Sequence, residues 1–172
     1  MQVHPRVGVV VPLRSFTFGN TRLAETLDDD ARTELGRRMA EQVVAAASAF
    51  PTAIVSSAPE VATWAAERDI ACLDDPGSLD LAADLGRTWA ADRDLTRVAI
   101  VHADLPHITS LSLQSVIDDG PVAVIVPDQR DDGTPVLSLP VDAPFRFAYG
   151  PQSFRRHIGE ATRIGLTVRV VR

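Results

Sequence analysis

Arg97-Val98-Ala99-Ile100-Val101-His102-Ala103-Asp104-Leu105-Pro106 is the stretch on which the reading of the whole chain turns. An apolar, largely β-branched run without a polar interruption is the pattern of a strand buried on both faces. It stops abruptly at a histidine, a carboxylate and a proline, the composition of a loop at a strand's carboxyl end. Working outward, Val7–Val11 repeats the pattern and ends at Pro12, and Val122–Val126 repeats it most strongly. Thr52–Ser56, Leu137–Leu139 and Leu166–Val171 carry weaker strand signals.

Helical patterns fill the intervals. Asp28–Asp30 puts negative charge at a helix start, after which Leu35, Met39 and Val43 recur every four residues, with Glu34 and Arg38 as an i,i+4 pair outside. Pro59–Arg68 is a shorter helix, and Leu81, Leu85 and Trp89 mark the inner face of another. Thr109 is placed to cap a helix burying Leu113, Val116 and Ile117; Ser153 is placed to cap the last, which stops at Gly165. Buried strands alternating with helices predict an α/β fold with a mostly parallel sheet covered on both sides. The polar segment Asp128–Pro135 is loop-sized, so residues 1–172 are expected to form one domain.

Composition narrows the function. The chain has 172 residues, 45% hydrophobic and 23% charged, the balance of a packed globular protein. The longest apolar run, Val7–Leu13, is too short to span a bilayer, and no cleavage site follows it. Cys72 is alone, so no intrachain disulfide is expected, and the chain reads as cytoplasmic. A net charge of −6 argues against a nucleic-acid binder. All 17 basic residues are arginine, so any phosphate held by a side-chain cation must be held by a planar, two-pronged one.

In such sheets ligands collect beyond the carboxyl ends of the strands. After the first strand come Arg14 and Arg22, flanking a loop that contains Gly19 and placed either to neutralise a triphosphate or to stand as ordinary surface arginines; the loop lacks both the GxxxxGK[ST] cradle and the GxGxxG turn. After RVAIVH comes Asp104, placed either to hold a hard cation such as magnesium or to cap the following helix. Asp74, Asp75, Asp80 and Asp128 are open candidates for a second ligand. Gly150–Ser153 precedes a helix whose start offers backbone N–H groups to an anion, with an ordinary Ser153 cap as the alternative. His102 is expected to be packed or hydrogen-bonded, His107 and His157 solvated, and His4 frayed with its terminus. No GxSxG or HExxH motif is present, which points away from side-chain covalent catalysis.

Read in order, VPLRSFTFGNTRLAETLDDDARTELGRRMAEQVVAAA, IVHADLPHIT, VIVPDQRDDGTPVLSL and FRFAYGPQSFRRHIGEATRIGLTVRVVR resemble the phosphoenolpyruvate/2-phospho-L-lactate guanylyltransferases of coenzyme F-420 biosynthesis. ADLP and GPQSF are the specific parts. The resemblance implies a Rossmann-like, glycosyltransferase-A-type nucleotidyltransferase fold with a mostly parallel, mixed sheet. It implies transfer of GMP from GTP to a small phosphorylated three-carbon acid, with release of pyrophosphate. Asp104 would bind Mg2+ and act in catalysis with Arg14 and Arg22. Thr134, Gly150 and Ser153 would hold the phospho-acid; Arg14, Gly19, Arg22, Leu79 and Asp80 would surround the nucleotide.

The chain departs from the family pattern in three places. Arg14 and Asn20 stand where the opening loop usually carries lysines, Ser78-Leu79-Asp80 stands for Gly-Leu-Asn, and Gly133-Thr134-Pro135 for Gly-Thr-Asn. These changes keep open a non-catalytic nucleotide or phospho-acid binder, and a transferase with another small phosphate acceptor. Neither nucleic acid nor membrane is expected as a partner; homo-oligomerisation is left open.

Overall fold

The computed structural model describes residues 6–16, 26–117 and 120–172. His4, Gly19, Asn20 and Arg22 lie outside them. The elements follow the order β1 (Val7–Pro12), α1 (Asp29–Ala46), β2 (Thr52–Val55), α2 (Pro59–Ala66), β3 (Ala71–Leu73), α3 (Leu79–Ala91), β4 (Arg97–Val101), α4 (Ser110–Ser115), β5 (Val122–Val126), β6 (Val136–Pro140), α5 (Ser153–Arg163) and β7 (Thr167–Val170).

They build a seven-stranded sheet of order β3-β2-β1-β4-β6-β5-β7. Every pairing is parallel except those of β6, which runs against both β4 and β5. The mixed α/β sheet is therefore the expected one. β1 is an interior strand beside the central β4, with Val9, Val10 and Val11 fully buried. Each such side chain contributes about 1.5–3 kcal/mol relative to exposure. Alternation splits them between two cores. Val10 packs in the cluster that α3 and α5 cover, Val9 and Val11 in the one beneath α1, α2 and α4.

The helix starts follow their capping chemistry. The Asp28 carboxylate accepts from Ala31 N–H at 2.8 Å, and Thr109 forms a capping box with Ser112. Four expectations need correction. β3 carries no strand signal in the sequence, being three residues long at the sheet edge beside acidic residues. Leu81 is 52% exposed, because α3 turns Ala82, Ala83, Gly86 and Trp89 inward instead. Ser153 is the first helical residue of α5, not its cap; Gln152 occupies the cap position in a left-handed conformation, without a side-chain cap bond. His157 is fully buried rather than solvated, since it shares the inward face of α5 with Ser153, Phe154 and Ala161.

Candidate active site at the junction of β1 and β4

From β1 the chain steps outward through β2 to β3, then returns across α3 to lay β4 on the other side of β1. Where connections diverge in this way, a crevice opens beyond the strand ends. Here it is a cavity of about 350 Å³, within the range that takes a small-molecule ligand. Its walls come from Pro12–Phe16 after β1, His102–Asp104 after β4, the start of α3 and one face of α1. Gly36 on α1 is there because space is short: a Cβ at that position would come within 2.1 Å of the Phe16 carbonyl oxygen. Only a bare backbone lets the β1 loop lie against α1.

The structure brings Arg14, Leu79 and Asp104 to this one cavity, together with Asp75, Ser78 and His102. Asp104 is exposed and has no hydrogen bond or ion pair among the described residues. His102 is half-buried. Its Nε2 is shielded from solvent and finds no hydrogen-bond partner among the described residues. Burial lowers the His102 pKa, and the Asp104 charge opposes that shift. Arg14 reaches away from Asp104, donating from Nη2 to the Gly77 carbonyl at 3.0 Å, with Nε 3.8 Å from Asp75 Oδ2.

The candidates for a second cation ligand separate. Asp74 accepts from Ser57 Oγ at 2.6 Å, and Asp80 from the Tyr149 N–H at 2.6 Å. Asp128 is caged by the backbone N–H groups of Arg130, Asp132 and Gly133, and those bonds hold its carboxyl below the ordinary range. Each is occupied in holding a loop. No group of three or more His, Cys, Asp and Glu side chains is poised around a metal among the described residues. The available oxygen donor is the Asp104 carboxylate. One carboxylate fits a cation such as magnesium that keeps several waters and takes its remaining ligands from phosphate oxygens.

Thr134, Gly150 and Ser153 also converge, but into a different environment. Thr134 Oγ1 lies 3.3 Å from Ser153 Oγ, both residues 1% exposed, while Gly150 is exposed with φ +96°. His157, which sequence reasoning placed in solvent, completes the group. Its Nε2 accepts from Ala148 N–H at 3.0 Å and its Nδ1 lies 3.0 Å from Thr134 Oγ1. Because Nε2 accepts, the neutral ring carries its proton on Nδ1 and donates to Thr134. Burial, with help from the nearby charge of Arg156, pushes the His157 pKa down to about 4. The start of α5 is already served from outside. Asp132 Oδ1 accepts from Gln152 N–H at 3.0 Å, and the Asp132 carbonyl accepts from Phe154 N–H at 3.0 Å. The helix start is thus less open to an anion than its sequence implies.

Tyr149 joins the two regions. Its ring lies 5.6 Å from that of His102 and 4.8 Å from that of His157, and its buried hydroxyl has no hydrogen-bond partner among the described residues. Burial and the Asp80 charge raise the phenol pKa, so it stays neutral. The Pro135 carbonyl accepts from His102 N–H at 2.9 Å, which sets the Thr134 segment directly against the Asp104 loop. No helix among the described residues is long and apolar enough to cross a membrane.

Comparison with known proteins gives a consistent picture. Residues 7–171 match the family model described as Guanylyl transferase CofC like. The chain is 34% identical to a phosphoenolpyruvate guanylyltransferase of Sphaerobacter thermophilus, over 95% of this chain and 82% of that one. It is 30% identical to the Chloroflexus aggregans protein of the same name, over 96% of this chain and 87% of that one. Among solved structures, a protein described as a nucleotide-diphospho-sugar transferase from Desulfovibrio desulfuricans superimposes with a TM-score of 0.80 at 16% identity. That match covers 97% of this chain and 80% of the other, a likeness of fold.

Proposed function

The chain belongs to the CofC-like guanylyl transferase family, and from that membership we propose that it transfers GMP from GTP to a small phosphorylated three-carbon acid, phosphoenolpyruvate or 2-phospho-L-lactate, as a step of coenzyme F-420 biosynthesis. One observation carries the reading: the strand-end cavity gathers Arg14, Leu79 and Asp104 from three separate segments.

In the reaction an oxygen of the acid's phosphate attacks the α-phosphorus of GTP. The bond to the β-phosphate oxygen breaks, and pyrophosphate leaves. No side chain need become covalently linked, so the protein's contribution is alignment and charge. Asp104 would hold Mg2+ beside the phosphates, where the ion offsets charge on the phosphoryl oxygens. The Arg14 guanidinium would exchange its contact with the Gly77 carbonyl for phosphate oxygens when the nucleotide binds. Arg22 and Gly19 are proposed to contribute from the same loop. Leu79 would pack against the nucleoside. Asp80 would act there indirectly, since its Oδ1 accepts from the Tyr149 N–H and the residue does not line the cavity. Thr134, Gly150 and Ser153 would bind the phospho-acid, approached from the exposed Gly150 side. Their adjacency to the Asp104 loop through Pro135 and His102 supports this placement.

The test is pyrophosphate release by the purified protein with Mg2+ and GTP, offering phosphoenolpyruvate, 2-phospho-L-lactate and 3-phosphoglycerate separately. Release that requires GTP and one of the first two acids is the expected result. Release only with 3-phosphoglycerate reassigns the acceptor, and GTP binding without release under any acid identifies a non-catalytic relative.

A further inference from the structure

We propose that Asp75 reads the guanine base, an inference that rests on the guanylyl transfer proposed above and deepens it. Two carboxylates line the cavity among the described residues, Asp75 and Asp104. They follow β3 and β4, which are separated by β2 and β1. Three strand spacings put the two loops on the order of 14 Å apart across the sheet. A nucleotide spanning the cavity then has its phosphates at one carboxylate and its base at the other. Asp104, exposed and beside the His102 ring, has the surroundings of a cation ligand. Asp75 has those of a base contact: Val55, Leu79 and Ala82 line the cavity near it as apolar wall.

The Asp75 carboxylate is held in place before any ligand arrives. Its side chain is only 14% exposed. Oδ1 accepts from Gly77 N–H at 2.9 Å, and the Asp75 N–H donates to Ser57 Oγ at 3.0 Å. Arg14 clamps the same turn through the Gly77 carbonyl. Oδ2 accepts no hydrogen bond among the described residues; Arg14 Nε, at 3.8 Å, is an ion-pair neighbour beyond hydrogen-bond reach. The carboxylate therefore keeps acceptor capacity on both oxygens. Guanine offers two parallel donors on one edge, N1–H and the 2-amino group, which match a carboxylate in charge-assisted fashion. Adenine offers at that edge an N1 lone pair and a C–H, leaving a partly buried charge unpaired. Hypoxanthine keeps N1–H but lacks the 2-amino group.

Calorimetric binding of GTP, ITP and ATP, with Mg2+ present and no acceptor acid, tests the assignment. Asp75→Asn is the variant of choice, because an asparagine oxygen still accepts from Gly77 N–H and keeps the turn. Wild type should prefer GTP to ATP by at least ~10³-fold, the scale expected when a site loses its paired donors. In the variant that preference should fall by ~10-fold or more, and GTP should bind little better than ITP. Preference retained in a variant with wild-type melting temperature overturns the role of Asp75 alone. An equal loss for all three nucleotides marks a cation or loop role and overturns it too. A wild-type protein that binds GTP no better than ATP brings down the guanylyl reading itself.

Discussion

The cavity at β1 and β4 and the hydroxyl cluster at Thr134 were read from sequence as two halves of one site, yet they are built on opposite principles. In the cavity, polar groups stand exposed or unpartnered: Asp104 has no partner among the described residues, and His102 Nε2 none either. Around Thr134, by contrast, nearly every polar atom is accounted for. His157 is bonded at both nitrogens, Ser153 faces Thr134, and Asp132 serves the helix start. Spare hydrogen-bonding capacity marks where a ligand is awaited; satisfied, dry groups mark what holds the frame. Substitutions in the cavity should therefore cost activity, and those in the cluster should cost stability as well.

The sharpest way to break this contrast is Asp104→Asn. Turnover should fall by about 10³-fold or more, the scale of losing a principal electrostatic partner in a transition state. The melting temperature should stay within about 1 °C, because surface groups away from packed features contribute little. A variant with near-normal pyrophosphate release would remove Asp104 from the reaction. Lowering pH probes the other region. With a folded pKa near 4 against an ordinary value of about 6.5, His157 remains neutral in the native state where the unfolded chain takes up a proton. Its contribution is complete above pH 6.5 and is lost as pH falls toward 4. The loss is on the order of 3 kcal/mol in total. Glu160, held down to about 2 by Arg163, loses its own contribution as pH falls from about 4.5 toward 2, mostly below the His157 range. Denaturant unfolding at pH 7 and pH 4.5 should show the loss in wild type and a shallower one in His157→Gln.

Thr134→Val should cost about 1–3 kcal/mol, because it strands the His157 Nδ1–H in a dry environment. Thr134→Ser should recover most of that. If the valine variant unfolds at the wild-type denaturant midpoint, the cluster is not the structural element described. The smallest effect is expected from Arg14→Gln. Stability should change by no more than about 0.5 kcal/mol, while the Michaelis constant for the nucleotide rises and that for the acid does not.

Much of this was legible in the sequence because it depends on local pattern. β1, β4 and β5 declare themselves as unbroken apolar runs, and Asp28 and Thr109 cap where their side chains dictate. What escaped depends on tertiary context. β3 is too short to show a period and exists because β2 offers it an edge. His157 looked like a solvent residue until its place three after Phe154 and four before Ala161 set it on the buried face, a signal the helical period did contain. That Asp74, Asp80 and Asp128 are tied down while Asp75 reaches the cavity is set by partners up to 69 positions away. No reading of neighbours along the chain could have separated them.

The reversed direction of β6 has a consequence for how the molecule assembles. β5 and β6 pair directly across the short segment Pro127–Pro135, while the parallel pairs need a helix or more between their strands. Contacts that close short loops form early and cost least entropy. The Thr134 side can thus gather from sequence-local pieces, β5, β6, α5 and β7, whereas the cavity waits for β4 to return over α3 and settle beside β1. The cavity proposed for the nucleotide is then expected to close late, and a ligand bound there is expected to favour the native chain.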